Sequence, residues 1–283
     1  MRILRSRDEV RAAVRGARLR GDVVGLVPTM GALHDGHLSL IRRARADNDL
    51  VVVSLFVNPT QFAAHEDLGA YPRDEQRDAE LARAAGADIL FAPPVDEIYP
   101  DGFATIIHVS GITEVLCGSR RGPGHFDGVA TVVTKLLQIV SPHAAYFGQK
   151  DAQQVLVIRR VVRDLDMPVR IVACPIVRDP DGLAMSSRNA YLDPDSRERA
   201  TALNRALDAA ARAVAEGETD ARAVLDAARD VLSGAGIDPE YLELRSPEDL
   251  TELDHLDGAA LLAVAAQIGR ARLIDNRILE AAR

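Results

Sequence analysis

Residues 23–57 read VVGLVPTMGALHDGHLSLIRRARADNDLVVVSLFV, and this stretch decides the fold. The β-branched run at residues 50–57 predicts a buried strand that Asn58 and Pro59 bound. Residues 23–27 predict a second buried strand, which ends at Pro28. Between the strands we expect a loop up to Gly36 and a helix that begins at His37. Two strands that are apolar on both faces, joined through a helix, are typical of a parallel sheet covered on both sides.

The same alternation extends to both sides of this stretch. Ser6 and Glu9 match a capping box that opens a helix ending near residue 20. The TIM barrel is excluded because it needs eight strand–helix units before the pattern changes. We therefore predict an α/β fold with an open, doubly wound parallel sheet. The further elements are helices at residues 74–85, 129–140 and 151–165, and strands at residues 88–91, 144–147 and 169–174.

The character of the chain changes after residue 176. Residues 1–176 are neutral overall, whereas residues 177–283 carry the whole net charge of −8. Long Ala- and Arg-rich helices are predicted first, and antiparallel strands follow them. We predict two domains, residues 1–176 and a smaller α+β domain of residues 177–283. The elements of the second are helices at residues 195–215 and 220–232, and strands at residues 240–244, 259–268 and 271–279.

Composition excludes several classes of protein. With 47% hydrophobic and 27% charged residues, the 283-residue chain is neither disordered nor of low complexity. Its net acidity disfavours a nucleic-acid partner. It has no apolar run of a membrane span and no apolar core of a signal peptide. The two cysteines, Cys117 and Cys174, make no disulfide framework, so we expect a reducing, cytoplasmic location.

The turn after the first buried strand is the first candidate site. His34 and His37 stand at the start of the predicted helix, and Gly36 between them lets the backbone approach a ligand. Free N–H groups and the positive end of a helix favour phosphate. Two alternatives remain open, namely a solvated pair of histidines and a metal site with Asp35 as third ligand. The lack of a nearby Glu or Cys partner weakens the interpretation as a metal site.

The segment FGQKD at residues 147–151 also lies between a predicted strand and a helix. It contains Lys150, one of only two lysines among 34 basic residues. As a point charge, Lys150 is a natural phosphate partner. Asp151 is explained by its place as a helix N-cap. The other lysine, Lys135, is predicted to lie in the middle of a helix with a structural role.

Two further segments carry polar side chains in loops. Ser186, Ser187 and Arg188 follow a predicted turn at residues 179–182 and suit a polyphosphate, although an ordinary surface loop is the alternative. Gln61 follows the clearest strand, and Gln154 follows Lys150 in the chain. These neutral amides suit the hydroxyl and carboxylate groups of a polar acyl substrate.

Five segments together resemble the pantothenate synthetase (pantoate–β-alanine ligase) family. They match in order and at matching intervals, and the likeness extends from residue 3 to about residue 278. The HxGH turn alone is shared with other nucleotidyltransferases, including class I aminoacyl-tRNA synthetases, so the set carries the specificity. The segments are PTMGALHDGH (28–37), VVVSLFVNPTQF (51–62), PGHFDGVATVVTKL (123–136), YFGQKDAQQ (146–154) and GLAMSSRNAYL (182–192).

The resemblance implies a two-step, ATP-dependent ligation. Pantoate would attack the α-phosphorus of ATP to give pantoyl adenylate and pyrophosphate, and β-alanine would then displace AMP to give pantothenate. It also implies a Rossmann-like ATP- and pantoate-binding domain of the HxGH nucleotidyltransferase type, a smaller C-terminal lid and a homodimer. Mg²⁺ is expected from the chemistry of ATP, with its ligands unknown.

The resemblance further implies roles for individual residues. His34, His37 and Lys150 would be catalytic, with His37 as proton donor. Asn58, Gln61 and Gln154 would bind pantoate or β-alanine. The residues expected to contact ATP are Met30, Gly31, Ala32, Leu33, His34, Asp35, Gly36, His37, Gly148, Gln149, Lys150, Asp151, Val177, Met185, Ser186, Ser187 and Arg188.

The sequence departs from the family pattern in three places. Gly122 stands where the family usually has Arg before PGHF, and either Arg120 or Arg121 could take that role. Cys117 replaces a usual Glu. Some members hold magnesium on acids of the helix that starts near residue 74, but residues 74–78 do not supply a full ligand set here.

Two other functions remain as alternatives. A nucleotidyltransferase acting on a phosphate acceptor would share the HxGH turn, but Arg or Lys would then be expected at Gln61 and Gln154. A non-catalytic nucleotide sensor would have no need of histidine and lysine donors at two strand ends.

Overall fold

A computed structural model of the chain describes residues 1–62, 68–69 and 71–281. The chain forms two compact units. The first contains Met1–Glu114, Gly118–Gln149 and Gln153–Pro175, and the second contains Val115–Cys117, Lys150–Ala152 and Ile176–Arg283. Residues 282–283 of the predicted second domain lie outside the described residues. The functions assigned to the two domains stay predictions.

The first unit is built on six parallel strands. They are β1 (Arg2–Leu4), β2 (Val24–Thr29), β3 (Leu50–Leu55), β4 (Ile89–Phe91), β5 (Ala144–Gly148) and β6 (Arg170–Cys174). Their order in the sheet is β1-β4-β3-β2-β5-β6. From β2 the chain moves through β3 to β4, and then continues on the other side of β2 with β5 and β6. The prediction of an open, doubly wound parallel sheet is confirmed, and its switch point lies between β2 and β5.

Helices connect these strands, mostly within a few residues of the predicted positions. The capping box of Ser6 and Glu9 is present at the first of them. The helix after β2 begins at Asp35, so the predicted start at His37 was wrong. The sequence did not predict β1 or the short helices Val95–Ile98 and Cys117–Arg121. The helices are α1 (Arg7–Leu19), α2 (Asp35–Asp47), α3 (Glu75–Ala84), α4 (Val95–Ile98), α5 (Cys117–Arg121), α6 (Pro123–Val140) and α7 (Ala152–Asp164), with 3-10 turns at Pro59–Gln61 and Gln149–Asp151.

Strand β2 continues through Pro28 to Thr29 instead of ending before the proline. Its six residues all pair with β3, up to Thr29 opposite Leu55. Its pairing with β5 stops at Leu26 opposite Ala145. Pro28 lies beyond that last pair, where its missing N–H interrupts no hydrogen bond between strands. A proline is therefore tolerated in a central strand, which the sequence-based expectation did not allow for.

The core of this unit follows from the apolar faces of its elements. Side chains from β2, β3 and β5 pack with those of α2 and α3 in one buried cluster, with Ile41 of α2 and Tyr146 of β5 fully buried. The hydroxyl of Tyr146 accepts a hydrogen bond from Asn48 at 2.7 Å and donates one to Asp47 at 3.1 Å. These bonds fix the end of α2 against the sheet.

The second unit contains the predicted antiparallel strands, which form a three-stranded sheet in the order β7 (Tyr241–Arg245), β8 (Ala259–Ile268) and β9 (Ala271–Glu280). Leu242 and Leu244 on one face of β7 join a buried cluster with the helices. None of the helices in the described part of the chain is long and apolar enough to cross a membrane. The elements are α8 (Pro194–Ala200), α9 (Ala202–Ala215), α10 (Ala221–Gly234), β7 (Tyr241–Arg245), β8 (Ala259–Ile268) and β9 (Ala271–Glu280), with a 3-10 turn at Ser187–Tyr191.

Candidate active site

The turn that follows β2 is held by a buried carboxylate. Gly31 and Ala32 both have positive φ angles, of 88° and 51°. The side chain of Asp78, on α3, accepts hydrogen bonds from the backbone N–H groups of Ala32 and Leu33, each at 2.8 Å. A Cβ atom at Gly31 would lie 3.0 Å from Asp78 Oδ2 and 3.1 Å from Leu55 Cδ1, so glycine suits both the φ angle and the space.

Sequence reasoning considered Asp78 only as a possible magnesium ligand. The residue is 1% exposed and belongs to the buried face of α3. An acid on the apolar face of an amphipathic helix is the signal that could have found it, because a buried carboxylate needs partners. Asp78 therefore holds the backbone of the candidate phosphate-binding turn from its buried side.

Asp78→Ala is expected to lower the free energy of unfolding by about 2 kcal/mol, because it removes the carboxylate that accepts from the buried N–H of Leu33 and the part-buried N–H of Ala32. Activity should fall as well, since the turn loses its support. Chemical denaturation measures the first effect, and Glu80→Ala, at an exposed position of the same helix, is the matched control. Equal stability of the two variants would contradict the anchoring role of Asp78.

The two histidines occupy defined positions at the start of α2. His34 is the N-cap, and His37 is the third residue of the helix. The backbone N–H of His34 donates to Nδ1 of His37 at 3.4 Å, and the ring centroids are 4.1 Å apart. Since Nδ1 of His37 accepts, the neutral ring carries its proton on Nε2. The turn thus combines helix N–H groups, a positive helix end and an imidazole donor.

The rest of the turn offers mainly its backbone. Leu33 is 1% exposed and its side chain belongs to the core, whereas Asp35 is exposed in the first turn of α2. Met30 and Ala32 are partly exposed. The sulfur of Met30 accepts a hydrogen bond from Nε2 of Gln61 at 3.1 Å. The structure therefore brings together the predicted nucleotide-binding turn and one predicted pantoate residue.

Asn58 forms a dense network after β3. It is 1% exposed, and its Nδ2 donates to Oε1 of Gln61 and to the carbonyl of Gly128, both at 3.1 Å. Its Oδ1 accepts from the hydroxyls of Tyr99 at 2.8 Å and Thr60 at 2.9 Å. Both amide hydrogens of Asn58 are thus engaged within the protein, and one of them orients Gln61.

Close packing fixes this segment against α6. A Cβ atom at Gly128 would lie 2.5 Å from the carbonyl oxygen of Thr60, so only glycine fits there. Gln154, in the first turn of α7, is partly exposed. None of the hydrogen bonds between described residues joins its side chain to Gln61. The two predicted pantoate amides therefore come from different elements of the first unit.

Arg121, one of the two arginines before PGHF, contacts a histidine of α6. Nη1 of Arg121 lies 3.0 Å from Nε2 of His125, whose Nδ1 lies 2.9 Å from the carbonyl oxygen of Gln61. Because a guanidinium only donates, Nε2 of His125 accepts and Nδ1 donates. Arg121 is thereby connected to the Gln61 segment through one imidazole. Which arginine takes the family role toward substrate stays a prediction.

Lys135 lies above aromatic rings in the first unit. Its Nζ is 4.4 Å from the centroid of Phe103 and 5.8 Å from that of Tyr99. Burial, and to a smaller extent the charge of Arg7, lowers the pKa of Lys135. This cation–π contact gives the lysine a structural partner, in line with the role predicted from its position in a helix.

The second unit contains the other predicted phosphate residues. The N–H of Met185 donates to the carbonyl of Val177 at 2.9 Å, so these two residues face each other across a hairpin. The predicted turn is present, with Gly182 at its end and a φ angle of 89°. Oγ of Ser186 accepts from the N–H of Arg188 at 3.3 Å and caps the turn Ser187–Tyr191. Lys150 and Asp151 also belong to this unit, whereas Gly148 and Gln149 belong to the first.

The acids considered for magnesium each have another partner. Asp74 accepts from the N–H of Arg77 at 3.0 Å, Glu75 pairs with Arg5, and Asp78 holds the turn described above. Among the described residues, no group of three or more His, Cys, Asp and Glu could hold a metal ion. These side chains do not form an all-protein metal site. They are compatible with a Mg²⁺ that is bound mainly through phosphate oxygens and water.

Cys117, the replacement for a usual Glu, lies against strands of the second unit. Its Sγ is 3.2 Å from the hydroxyl of Tyr241 and 3.5 Å from Nη1 of Arg272. Nε of Arg272 donates to Glu240 at 2.8 Å. Burial raises the pKa of Tyr241. The sulfur accepts a hydrogen bond from Arg272, and both cysteines of the chain are buried thiols outside any disulfide.

Comparisons with known proteins point to one family. The family model described as pantoate-beta-alanine ligase matches residues 2–278. The chain is 55% identical to the pantothenate synthetase of Roseiflexus castenholzii and 52% identical to that of Acetivibrio thermocellus, over 99% of this chain and 100% of each relative.

Solved structures are similar over the same range. Pantothenate synthetase from Thermus thermophilus superposes with a TM-score of 0.93 at 48% identity, covering 98% of this chain and 99% of that one. Pantoate-beta-alanine ligase from Francisella tularensis, complexed with beta-gamma ATP and beta-alanine, superposes with a TM-score of 0.80 at 36% identity, covering 98% and 97%. With a family model and relatives that match nearly end to end, the chain belongs to the pantoate–β-alanine ligase family.

Proposed function

We propose that this protein condenses pantoate with β-alanine at the expense of ATP. A pantoate carboxylate oxygen attacks the α-phosphorus, the bond to pyrophosphate breaks, and pantoyl adenylate forms. The amine of β-alanine then attacks the acyl carbon, and AMP leaves with the electron pair of the C–O bond. The observation that carries the proposal is family membership along nearly the whole chain, together with a 36% identical member described with an ATP compound and β-alanine.

The site geometry supports phosphate chemistry at the switch point of the sheet. His34 and His37 follow β2, and Gln149 follows β5, the two strands between which the strand order reverses. Ligands of open parallel sheets bind beyond the carboxyl ends of strands at such a point. We assign Nε2 of His37 the donation of a hydrogen bond to a phosphate oxygen, where the charge of the leaving pyrophosphate grows. His34 contributes its place at the helix N-cap.

We also assign Lys150 and the 185–188 loop to the phosphates of ATP. The ammonium of Lys150 and the guanidinium of Arg188 supply charge, and Ser186 and Ser187 supply hydroxyl donors. No nucleophilic side chain is needed, because the carboxylate of pantoate is itself the nucleophile. Orientation and fixed donors account for catalysis. The second unit would act as a lid that keeps water from the acyl adenylate.

Gln61 and Gln154 are assigned to pantoate. Their amides can donate to the carboxylate and exchange hydrogen bonds with the hydroxyls, without a charge that would compete for ATP. Asn58 acts through Gln61, since its own amide hydrogens are engaged with Gln61 and Gly128. Mg²⁺ would bind mainly through phosphate oxygens of ATP and water, and would neutralise part of the phosphate charge. A homodimer and a cytoplasmic location are part of the proposal.

ATP–pyrophosphate isotope exchange tests the reaction. Exchange should need pantoate and should not need β-alanine, because the adenylate forms before the amine reacts. Addition of β-alanine should then release AMP and pantothenate. Exchange in the absence of any acid, or a stable dinucleotide product without AMP release, would instead favour a nucleotidyltransferase that acts on a phosphate acceptor.

A further inference from the structure

Two neighbouring residues of β9 contact two separate segments of the second unit. Asp275 and Asn276 are 3% and 4% exposed, although they point to opposite faces of the strand. Leu273 and Leu279, on the face of Asp275, belong to the hydrophobic cluster under the sheet. The face of Asn276 also carries Arg272, which contacts Cys117. Buried polar side chains on an edge strand need partners, and both have them.

Asp275 fixes the hairpin that leads to the serine loop. Its carboxylate accepts hydrogen bonds from Nη1 and Nη2 of Arg178 at 2.6 and 3.0 Å, which makes a bidentate ion pair. Nη1 of Arg178 also donates to the carbonyl of Gly182 at 3.2 Å, across the hairpin turn. The N–H of Asn276 donates to Oδ1 of Asp275 at 2.8 Å. The backbone at Asn276 is therefore held by the same carboxylate.

Asn276 fixes the main chain at Lys150. Its Nδ2 donates to the carbonyl oxygen of Lys150 at 2.9 Å. The direction is settled by chemistry, because a carbonyl oxygen only accepts and the amide nitrogen only donates. Lys150–Ala152 belongs to the second unit together with β9. The hydrogen bond therefore sets the peptide plane that follows the Lys150 side chain.

From this geometry we propose that Asn276 is a positioning residue, which holds the Lys150 peptide so that its ammonium reaches the phosphates of ATP. The proposal rests on the function proposed above. The side chain of lysine is a flexible chain of four carbons. The region that its ammonium can reach is therefore set by where its backbone is fixed. A shift of about 1 Å in a reacting group can cost about a hundredfold in rate. Asn276 would act on ATP through the main chain of Lys150.

Asn276→Ala should lower kcat/KM for ATP by roughly ten- to a hundredfold, mainly through Lys150. The KM for β-alanine should change little, because the amine enters after pyrophosphate has left. Gln267→Ala is the matched control, since Gln267 is an exposed amide on β8 that donates to the carbonyl of Gly269 at 3.0 Å. It removes the same kind of bond from the same sheet, and kcat/KM for ATP should stay unchanged.

Asn276→Asp separates positioning from general stability. The new side chain has the same shape, but at neutral pH its carboxylate faces the Lys150 carbonyl and cannot donate. Burial beside an acceptor favours the protonated acid, whose O–H can donate again. The activity of Asn276→Asp relative to the unsubstituted protein should therefore recover as the pH falls. Asn276→Ala, which has no proton to gain, should show a constant ratio.

Steady-state kinetics and ATP calorimetry on the full chain decide the outcome. Loss of kcat/KM for ATP in both Asn276 variants, with recovery of Asn276→Asp at low pH, supports the proposal. The proposal is overturned if kcat/KM for ATP falls only as much as the lowered melting temperature explains. It is also overturned if the activity of Asn276→Asp, relative to the unsubstituted protein, does not change with pH. If the unsubstituted protein makes no pantothenate, the proposed function fails instead. If the unsubstituted protein makes pantothenate and the Asn276 variants keep its kcat/KM for ATP, the positioning role alone fails.

Discussion

Lys150→Ala is expected to lower kcat about a hundredfold or more, because it removes a positive charge from the proposed triphosphate site. The ammonium would neutralise charge that grows on the phosphate oxygens as pyrophosphate leaves. No other lysine can replace it, since the chain has only Lys135 besides. The fold should persist, because the carbonyl that Asn276 binds at position 150 belongs to the backbone.

Lys135→Ala is the natural control for this experiment. It removes the same side chain, but from a position above Phe103 in the first unit. We expect it to lower the melting temperature and to affect activity only through stability. Kinetics and thermal unfolding of both variants provide the comparison. Near-normal turnover of Lys150→Ala, or a folded but inactive Lys135→Ala, would contradict the assignment of the two lysines.

His37→Ala is expected to lower kcat by about a hundredfold or more, with the fold intact. The backbone N–H of His34 binds Nδ1 of His37, so the ring presents its Nε2 proton in a fixed direction. Alanine removes that donor from the helix N-terminus at the switch point. His37→Gln, whose terminal amide nitrogen can approach the position of Nε2, should restore part of the activity.

The ATP–pyrophosphate exchange rate is the measurement for His37, because it isolates the first step from the reaction with β-alanine. His108→Ala is the control, since His108 is an exposed histidine of the same unit whose Nδ1 lies 2.9 Å from Asp127. That variant should exchange normally. Equal exchange rates in His37→Ala and His108→Ala would show that His37 takes no part in adenylate formation.

The fold was predictable because its strands are apolar on both faces and its helices carry local start signals. Ser6 and Glu9 gave the first helix its correct beginning. The helix after β2 was placed two residues late, because a histidine N-cap at His34 is not among the usual capping side chains. The three-residue strand β1 was missed, since its identity comes from pairing with β4 and not from its own sequence.

The candidate site was predictable where its residues lie in the turns after strands. His34, Gln61 and Met30 follow β2 and β3, and sequence order alone places them at one edge of a parallel sheet. Asp78 and Asn276 could not be found in this way, because each acts on the backbone of a distant segment. A local pattern, such as the acid on the apolar face of α3, can show that a buried side chain needs a partner, but which partner it binds depends on tertiary contacts. The same holds for the choice between Arg120 and Arg121.

Pro28 limits the pairing between the central strands β2 and β5. A residue with a main-chain N–H at position 28 could form a further hydrogen bond between β2 and β5 and extend their pairing toward the strand ends. The pyrrolidine ring has no hydrogen to offer, so the ladder on that side ends at Leu26 while β3 stays paired to Thr29. The ends of β2 and β5, beyond which we propose that ATP binds, thus stay unpaired with each other because of the ring of one residue.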